Sequence, residues 1–393
     1  MRITYVCRKA WPSQGGMEEY LRLLARGLGE HGHEVRILAE RIDDGTIRPE
    51  IDVFVRRDSW APFADGPVRV EPLRIPVARR AALAPVLARR VRRLKRSTAT
   101  VQVARLYGRV VGPEIAARAR DADVLHMWGG DVTASAVARA AELLGRPSVM
   151  TPQAHAGQWD DDPGSADAYR RADRVVASSR ADAELYASLG VGRERIAVSP
   201  PCVEPVAHGD AGLARGALGL PGPLVLFLGV RRAHKGVNLL MQAAHRVAEE
   251  RPDVTFAFVG PGPELPSANG LGERLRDVGR VDESEKATWL QAADLVCLPS
   301  AKESFGLVVA EAWSARTPVL VSDIPVLREL VDAGGGGVAV PRDAGEIAGA
   351  LVRLLDSPAE LRRLGERGHR HWAEQLTVDA AVRRHEELYS SLA

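Results

Sequence analysis

Apolar residues recur along this chain in two rhythms. Short unbroken apolar runs predict buried strands, and apolar positions three and four residues apart predict helices. Residues 3–7 predict the first strand, followed by a polar loop, Pro12-Ser13-Gln14-Gly15-Gly16. Tyr20, Leu21, Leu24, Ala25 and Leu28 then mark one helical face, which Gly32 ends, and residues 34–39 give the next strand. Further strands are expected at 52–55, 124–126, 148–151, 174–177 and 195–199. Strands separated by helical segments of this length argue for a mostly parallel sheet covered on both faces.

The pattern restarts in the second half. Residues 224–228 form an almost uninterrupted apolar strand, followed by the loop 229–236 and a helix over 237–250 with Leu239, Leu240, Ala243 and Val247 on one side. Strands at 255–259, 295–298 and 319–321 and a helix at 306–315 complete the series. Between the halves, residues 200–223 carry five prolines and five glycines, a composition suited to a domain boundary. The expected division is 1–205, 206–375 and a C-terminal helix at 376–393. Residues 359–389 look helical throughout, with Ala381, Val382, Leu388 and Tyr389 along an apolar stripe. Such an end either completes the second domain or crosses back onto the first.

Composition narrows the class. The chain has 393 residues, 46% hydrophobic and 26% charged, with 53 Lys plus Arg against 51 Asp plus Glu. That balance argues against a polyanion-coating protein, so no nucleic-acid partner is expected, and against an acidic disordered chain. No apolar run approaches the roughly 20 residues needed to cross a bilayer, and the N-terminus lacks the long apolar core of a secretory signal. Cys7, Cys202 and Cys297 are scattered, with no Cys-x-x-Cys, so neither a disulfide framework nor a thiolate metal site is suggested. The chain reads as cytoplasmic.

Most catalytic motifs are absent. Gly260 and Gly262 supply two glycines of a dinucleotide fingerprint, but the third is missing and two prolines intrude. The loop 229–236 lacks the ending of a phosphate-binding P-loop, and His126, His155 and His234 come from separate loops, so no metal is expected. What remains is placement. Each half puts glycine and polar residues directly after its first strand, at the carboxyl edge where parallel sheets bind ligands. Gly15 and Gly16 leave backbone amides open to an anion; Arg231, Arg232 and Lys235 add positive charge in the second half. The strongest local signal is Pro299-Ser300-Ala301-Lys302-Glu303-Ser304-Phe305-Gly306-Leu307, with Glu311 further along the helix that follows. Two carboxylates so placed suit vicinal hydroxyls, because each oxygen has spare lone pairs. Taken alone, they equally suit two solvated charges at a helix start.

With its spacing of eight residues, Glu303 to Glu311 resembles the Glu-x7-Glu signature of retaining glycosyltransferases with the GT-B fold, the large nucleotide-sugar-dependent family. The resemblance runs over nearly the whole chain. It takes in Gly15-Gly16-Met17-Glu18-Glu19-Tyr20, Gly32-His33-Glu34-Val35, Asp123-Val124-Leu125-His126, Ser199-Pro200-Pro201, Lys235-Gly236, Val259-Gly260-Pro261-Gly262-Pro263 and Gly336-Gly337-Val338. It implies an α/β architecture of two Rossmann-like domains facing each other across a cleft, acceptor bound by the first and donor by the second, with a C-terminal helical extension. It places Gly15 and Gly16 against the donor diphosphate, Lys235 as its neutralising cation, Glu303 on the transferred sugar and Glu311 on the ribose. Ser304, Phe305, Gly306 and Leu307 belong to the same donor segment, the last three through backbone amides. His126 falls beside the reaction centre, with a core histidine as the alternative because it ends an apolar strand. Met17, His155, Trp159 and Asp160 are acceptor or cleft candidates. Relatives commonly read Gly-Arg-Leu where this chain has Gly229-Val230-Arg231; the phosphate-binding arginine is therefore Arg231 through a shifted loop, or absent.

The reaction implied is transfer of a sugar from a nucleoside diphosphate to a hydroxyl, with retention, and with no metal and no cofactor beyond the donor substrate. No Asp-x-Asp stands where it would bridge metal and diphosphate: Asp121-x-Asp123 precedes a strand. The rival reading is a non-catalytic nucleotide- or glycan-binding module on the same fold; a phosphorylase or epimerase is a further enzyme alternative. The acceptor is open between a small natural-product precursor and a cell-envelope, lipid-linked molecule. Residues 73–109 hold 11 Arg or Lys and no Asp or Glu, whereas Trp159-Asp160-Asp161-Asp162 is acidic. Within the basic stretch, Leu83, Val86, Leu87, Val91 and Leu94 line one face of an expected helix over 83–96. That helix either packs on its own domain or makes weak peripheral contact with the inner face of a membrane. Oligomeric state is unread.

Overall fold

Unbroken apolar runs become the central strands, and the polar positions gather where those strands end. The computed structural model describes residues 1–12, 15–42, 60–76, 79, 81–83, 99–154, 157, 160–206, 211–220, 222–265 and 271–392. The expected strand at 52–55, His155, Trp159 and, apart from Leu83, the amphipathic helix at 83–96 lie outside them. The chain divides into one unit of Met1–Pro200 with Ala381–Ala393 and a second of Pro201–Ala380.

The first unit carries β1 (Arg2–Lys9), β2 (Glu34–Arg41), β3 (Phe63–Asp65), β4 (Val68–Pro72), β5 (Val124–Trp128), β6 (Ser148–Thr151), β7 (Arg174–Ala177) and β8 (Ile196–Val198). Their order is β3-β4-β2-β1-β5-β6-β7-β8, parallel except for the β3–β4 hairpin. Helices α1 (Gly16–Glu30), α2 (Ala99–Arg118), α3 (Thr133–Leu144), α4 (Pro163–Arg171) and α5 (Arg180–Ser188) accompany the sheet. A core of Val6, Leu38, Leu125, Met127, Met150 and Val175 packs against Tyr107, Val111 and Ile115 of α2.

The second unit repeats the plan with β9 (Leu224–Leu228), β10 (Thr255–Val259), β11 (Leu275–Gly279), β12 (Leu295–Leu298), β13 (Val319–Ser322) and β14 (Gly337–Val340). The order is β11-β10-β9-β12-β13-β14, all parallel. Its helices are α6 (Ala211–Ala217), α7 (Val237–Glu250), α8 (Glu283–Ala292), α9 (Leu307–Ser314), α10 (Pro325–Gly334), α11 (Ala344–Leu355) and α12 (Pro358–Gln375). The central strands β9, β10, β12 and β13 are buried at every position, as their continuous apolar runs require. Both units are Rossmann-like, and in each the strand order reverses beside the first strand: between β1 and β5, and between β9 and β12. No helix among the described residues is long and apolar enough to cross a membrane.

The C-terminal segment, expected to be helical over 359–389 with a terminal helix at 376–393, is helical in two pieces. It breaks after α12 and restarts as α13 (Val378–Ser390). At the break, the Leu376 carbonyl accepts from the Val203 N–H at 3.1 Å, and the Thr377 hydroxyl accepts from the Ala380 N–H at 3.3 Å, as at a helix start. From Ala381 onward the chain belongs to the first unit. Tyr389 is fully buried there, its hydroxyl 2.7 Å from that of Tyr5 and 2.6 Å from His126 Nδ1. Glu386 meets His31 and His33, and Arg384 donates to Ser199 Oγ and the Pro200 carbonyl.

Two imidazoles are enclosed in this junction. Burial, with the neighbouring His385, holds His126 well below the ordinary histidine value; burial lowers His385 to about 4. Between pH 6.5 and about 4 the unfolded chain therefore takes up protons that the folded chain refuses, so stability is lost as pH falls. His385 alone accounts for up to roughly 3 kcal/mol. The thermal unfolding transition of the first unit should drop across that range, and His385→Leu should flatten the dependence. A transition temperature unchanged from pH 7 to 4.5 would contradict neutral, enclosed rings.

Candidate active site

In the second unit the two loops that leave β9 and β12 meet where the strand order reverses. Adjacent parallel strands carry their following loops to the same edge, and at a reversal those loops diverge and leave a crevice. The β9 loop closes in a short 3-10 turn, Ala233–Lys235, ended by Gly236. Gly236 has a φ of +76°, and a Cβ there would lie 2.2 Å from the Pro299 carbonyl oxygen. Only glycine allows both the left-handed backbone and that approach. The Ala301 N–H donates to the His234 carbonyl at 2.7 Å, a second tie between the loops.

This brings two residues singled out in the sequence into contact. Lys235 Nζ lies 2.7 and 2.8 Å from the two oxygens of Glu303. Ser300 Oγ donates to Glu303 Oε1 at 2.7 Å, and Ser322 in turn donates to the Ser300 carbonyl. Glu303 keeps 8% of its side chain exposed and Lys235 25%, so the pair stands at the edge of the protein interior. Next along the chain, Phe305 is buried, Ser304 is half-buried, and Gly306 opens α9 with no side-chain cap, leaving the amides of the first turn to another acceptor. Glu311, on α9, receives Lys286 Nζ of α8 at 2.9 Å, and Glu283 holds the same ammonium at 2.5 Å. Burial alone would lower the Lys286 ammonium, but Glu311 and Glu283 outweigh it and raise it above its ordinary value. Lysine therefore stays charged beside Glu311.

Arg231 has different surroundings from those expected of a cation open to a diphosphate. Its side chain is 7% exposed, and Nη1 donates to Asp277 Oδ1 of β11 at 2.5 Å. His126 departs too. Its ring is fully buried, with Nδ1 against Tyr389 and Nε2 2.7 Å from Thr151 Oγ1, and it stacks 4.8 Å from Tyr5. No face of it is open to a substrate in this structure; it takes a core position in the middle of β5.

At the matching edge of the first unit, Gly15 and Gly16 are exposed at the start of α1, which no side chain caps. Met17 is half-buried, and its carbonyl accepts from Trp128 Nε1 of β5 at 3.1 Å, fastening the helix start to the strand beyond the reversal. Asp160 is half-buried in a left-handed conformation beside Gly130, where a Cβ would come 2.1 Å from its carboxyl carbon. Asp277, Lys286 and Tyr389 were not singled out as site residues. They come from a strand and two helices with no local signature, and only folding brings them to their partners. Among the described residues, no three His, Cys, Asp or Glu side chains are grouped to hold a metal ion.

Comparison with known proteins adds a family. Residues 222–357 match the family described as Glycosyl transferases group 1, and residues 15–202 match the Glycosyl transferase 4-like domain. The chain is 35% identical over 240 residues to D-inositol 3-phosphate glycosyltransferase 1 of Catenulispora acidiphila, covering 54% of this chain and 57% of that protein. It thus spans little more than half the length of that relative. It is 27% identical over 405 residues to MMP alpha-(1->4)-mannosyltransferase of Mycolicibacterium hassiacum, covering 95% and 94%. Among solved structures, Anabaena HepE in complex with UDP superposes with a TM-score of 0.75 at 18% identity, over 100% of both chains, a likeness of fold. Two Rossmann-like units, each with its polar loops at the strand reversal and each matched by a glycosyltransferase family, make this chain a member of the glycosyltransferases of the GT-B fold.

Proposed function

We propose that the chain transfers a sugar from a nucleoside diphosphate to an acceptor hydroxyl, with retention at the anomeric carbon and with protein cations in place of a metal ion. The observation that carries this reading is the contact of Lys235 with Glu303 at the β9–β12 reversal. One residue of the pair suits a diphosphate and the other suits the hydroxyls of the sugar attached to it. As the bond from the anomeric carbon to the diphosphate oxygen breaks, negative charge gathers on the leaving group. Lys235 and the uncapped amides of Phe305, Gly306 and Leu307 are stronger partners for that charge than for the intact donor, which lowers the barrier. Glu303 accepts from sugar hydroxyls and is no nucleophile in this scheme. Glu311, paired with Lys286, accepts from the ribose hydroxyls. The acceptor attacks from the face that the diphosphate leaves, and its hydroxyl proton passes to a leaving phosphate oxygen.

The acceptor belongs, in this reading, to the first unit, with Met17 and Asp160 at its carboxyl edge. A relative named for D-inositol 3-phosphate favours a polyol carrying an anionic group, and the basic residues of 73–109 suit that charge.

Release of nucleoside diphosphate from UDP-glucose and GDP-mannose, with and without acceptors, tests the scheme. Glu303→Ala should mainly lower turnover, and Glu311→Ala should mainly weaken donor binding. Full turnover in Glu303→Ala would remove the proposed sugar contact, and no release by the wild-type chain with any donor would favour a binding module. Lys235→Ala should cost about 100-fold in kcat/KM, roughly 3 kcal/mol for a lost partner to developing charge.

The metal-free scheme has its own check. Initial rates in excess EDTA should match those in magnesium; a rate abolished by the chelator and restored by magnesium would overturn it.

A further inference from the structure

The loops that leave β9 and β10 are joined to β11 by one ion pair, between a buried arginine and an exposed aspartate. Arg231 Nη1 donates to Asp277 Oδ1, and Asp277 Oδ2 accepts from the Leu265 N–H at 3.2 Å. Arg231 donates its own backbone N–H to the Pro261 carbonyl at 2.8 Å. Gly262 lets the two loops close: its φ is +155°, and a Cβ there would come 2.4 Å from Arg231 Cβ. The guanidinium Nε is buried without a hydrogen-bond partner, while the adjacent Arg232 is exposed.

We infer that Arg231 and Asp277 are positioning residues, a clamp that sets the loop bearing Lys235, and that Arg231 is not a phosphate ligand. The inference rests on the reading of Lys235 and Glu303 as the donor site. A phosphate ligand must present donors outward, whereas this side chain is enclosed by the β10 loop and turned to a carboxylate. Removing Asp277 leaves the buried guanidinium uncompensated, and removing either partner costs the loop its tie four residues before Lys235. Replacing both with apolar side chains of similar volume removes the two charges and the unpaired Nε together. Exchanging a buried guanidinium and its carboxylate partner in that way commonly leaves folding intact.

The test measures calorimetric binding of UDP, GDP and ADP to the full chain, with the melting temperature of every variant. Arg231→Ala and Asp277→Ala should each weaken binding of the preferred diphosphate by roughly tenfold, within the range for coupled neighbours, and the double alanine variant should be no worse than the weaker single. Arg231→Met with Asp277→Leu should recover binding to within about threefold of wild type, with no loss of melting temperature. Where an alanine variant does not fold, Arg231→Gln and Asp277→Asn take its place. If the apolar pair melts normally yet binds as poorly as Arg231→Ala, Arg231 contacts phosphate and the clamp is overturned. If the single variants lower the melting temperature and leave affinity untouched, the pair serves the fold alone, and the positioning role is overturned. Failure of the donor-site reading looks different: the wild-type chain binds none of the three, or Lys235→Ala binds as wild type does.

Discussion

The approach of Gly236 to the Pro299 carbonyl is the constraint on which the second unit's chemistry depends. A parallel sheet delivers the loops after β9 and β12 to one edge, but delivery to an edge does not bring two side chains within hydrogen-bonding distance. The backbone contact does, because it lets the turn carrying Lys235 lie against the start of the loop carrying Glu303. Any side chain at residue 236 would have to displace the Pro299 carbonyl. The loops would part, and lysine and carboxylate would part with them. The buried serines at 300 and 322 act in the same direction, tying the Glu303 loop to the end of the next strand.

The first unit has the same topology and uses its reversal differently. Between β1 and β5 the lysine–glutamate contact is looser, with Lys9 Nζ 3.9 Å from Glu18 Oε1 of α1; beside it stand the exposed Gly15 and Gly16 and an indole that fastens the helix start. Its buried polar chemistry lies within the sheet instead, where Thr151, His126, Tyr389 and Tyr5 form a continuous hydrogen-bonded row. Each hydroxyl in that row is both donor and acceptor, so either tautomer of His126 satisfies it. The row joins α13 to the strands of the first unit, which is how the last residues of the chain come to belong with the first.

These differences explain what was legible in the sequence. Strands such as β9 and β12 are continuous apolar runs between turn residues, and the periodicity of α7 is plain, so both were readable. The β3–β4 hairpin was not: three residues and five, partly polar, at a sheet edge, give neither an apolar run nor a sustained alternation. Glu303, Glu311 and Lys235 were legible through a motif, but their present partners were not. Lys286 lies 25 residues from Glu311 and Asp277 46 residues from Arg231, and nothing local marks either. For His126 the sequence left a core and a reactive role open, because an apolar strand ending in histidine fits both; the hydrogen bonds of Tyr389 and Thr151 decide its surroundings.

Three cations of the second site are each matched by a carboxylate: Lys235 by Glu303, Lys286 by Glu311, and Arg231 by Asp277. None of these three meets an entering diphosphate as a free charge, since each is already compensated; Arg232 beside them is exposed. Lys235 is the most exposed of the three at 25%, against 21% for Lys286 and 7% for Arg231, so it can turn to a phosphate at the least desolvation cost. Once it does, Glu303 loses its cation partner while Ser300 still holds it in place, and sugar hydroxyls become the donors that compensate it. In the proposed donor site, phosphate and sugar are then recognised through one exchange, the sugar hydroxyls restoring to Glu303 the donors that Lys235 gives up.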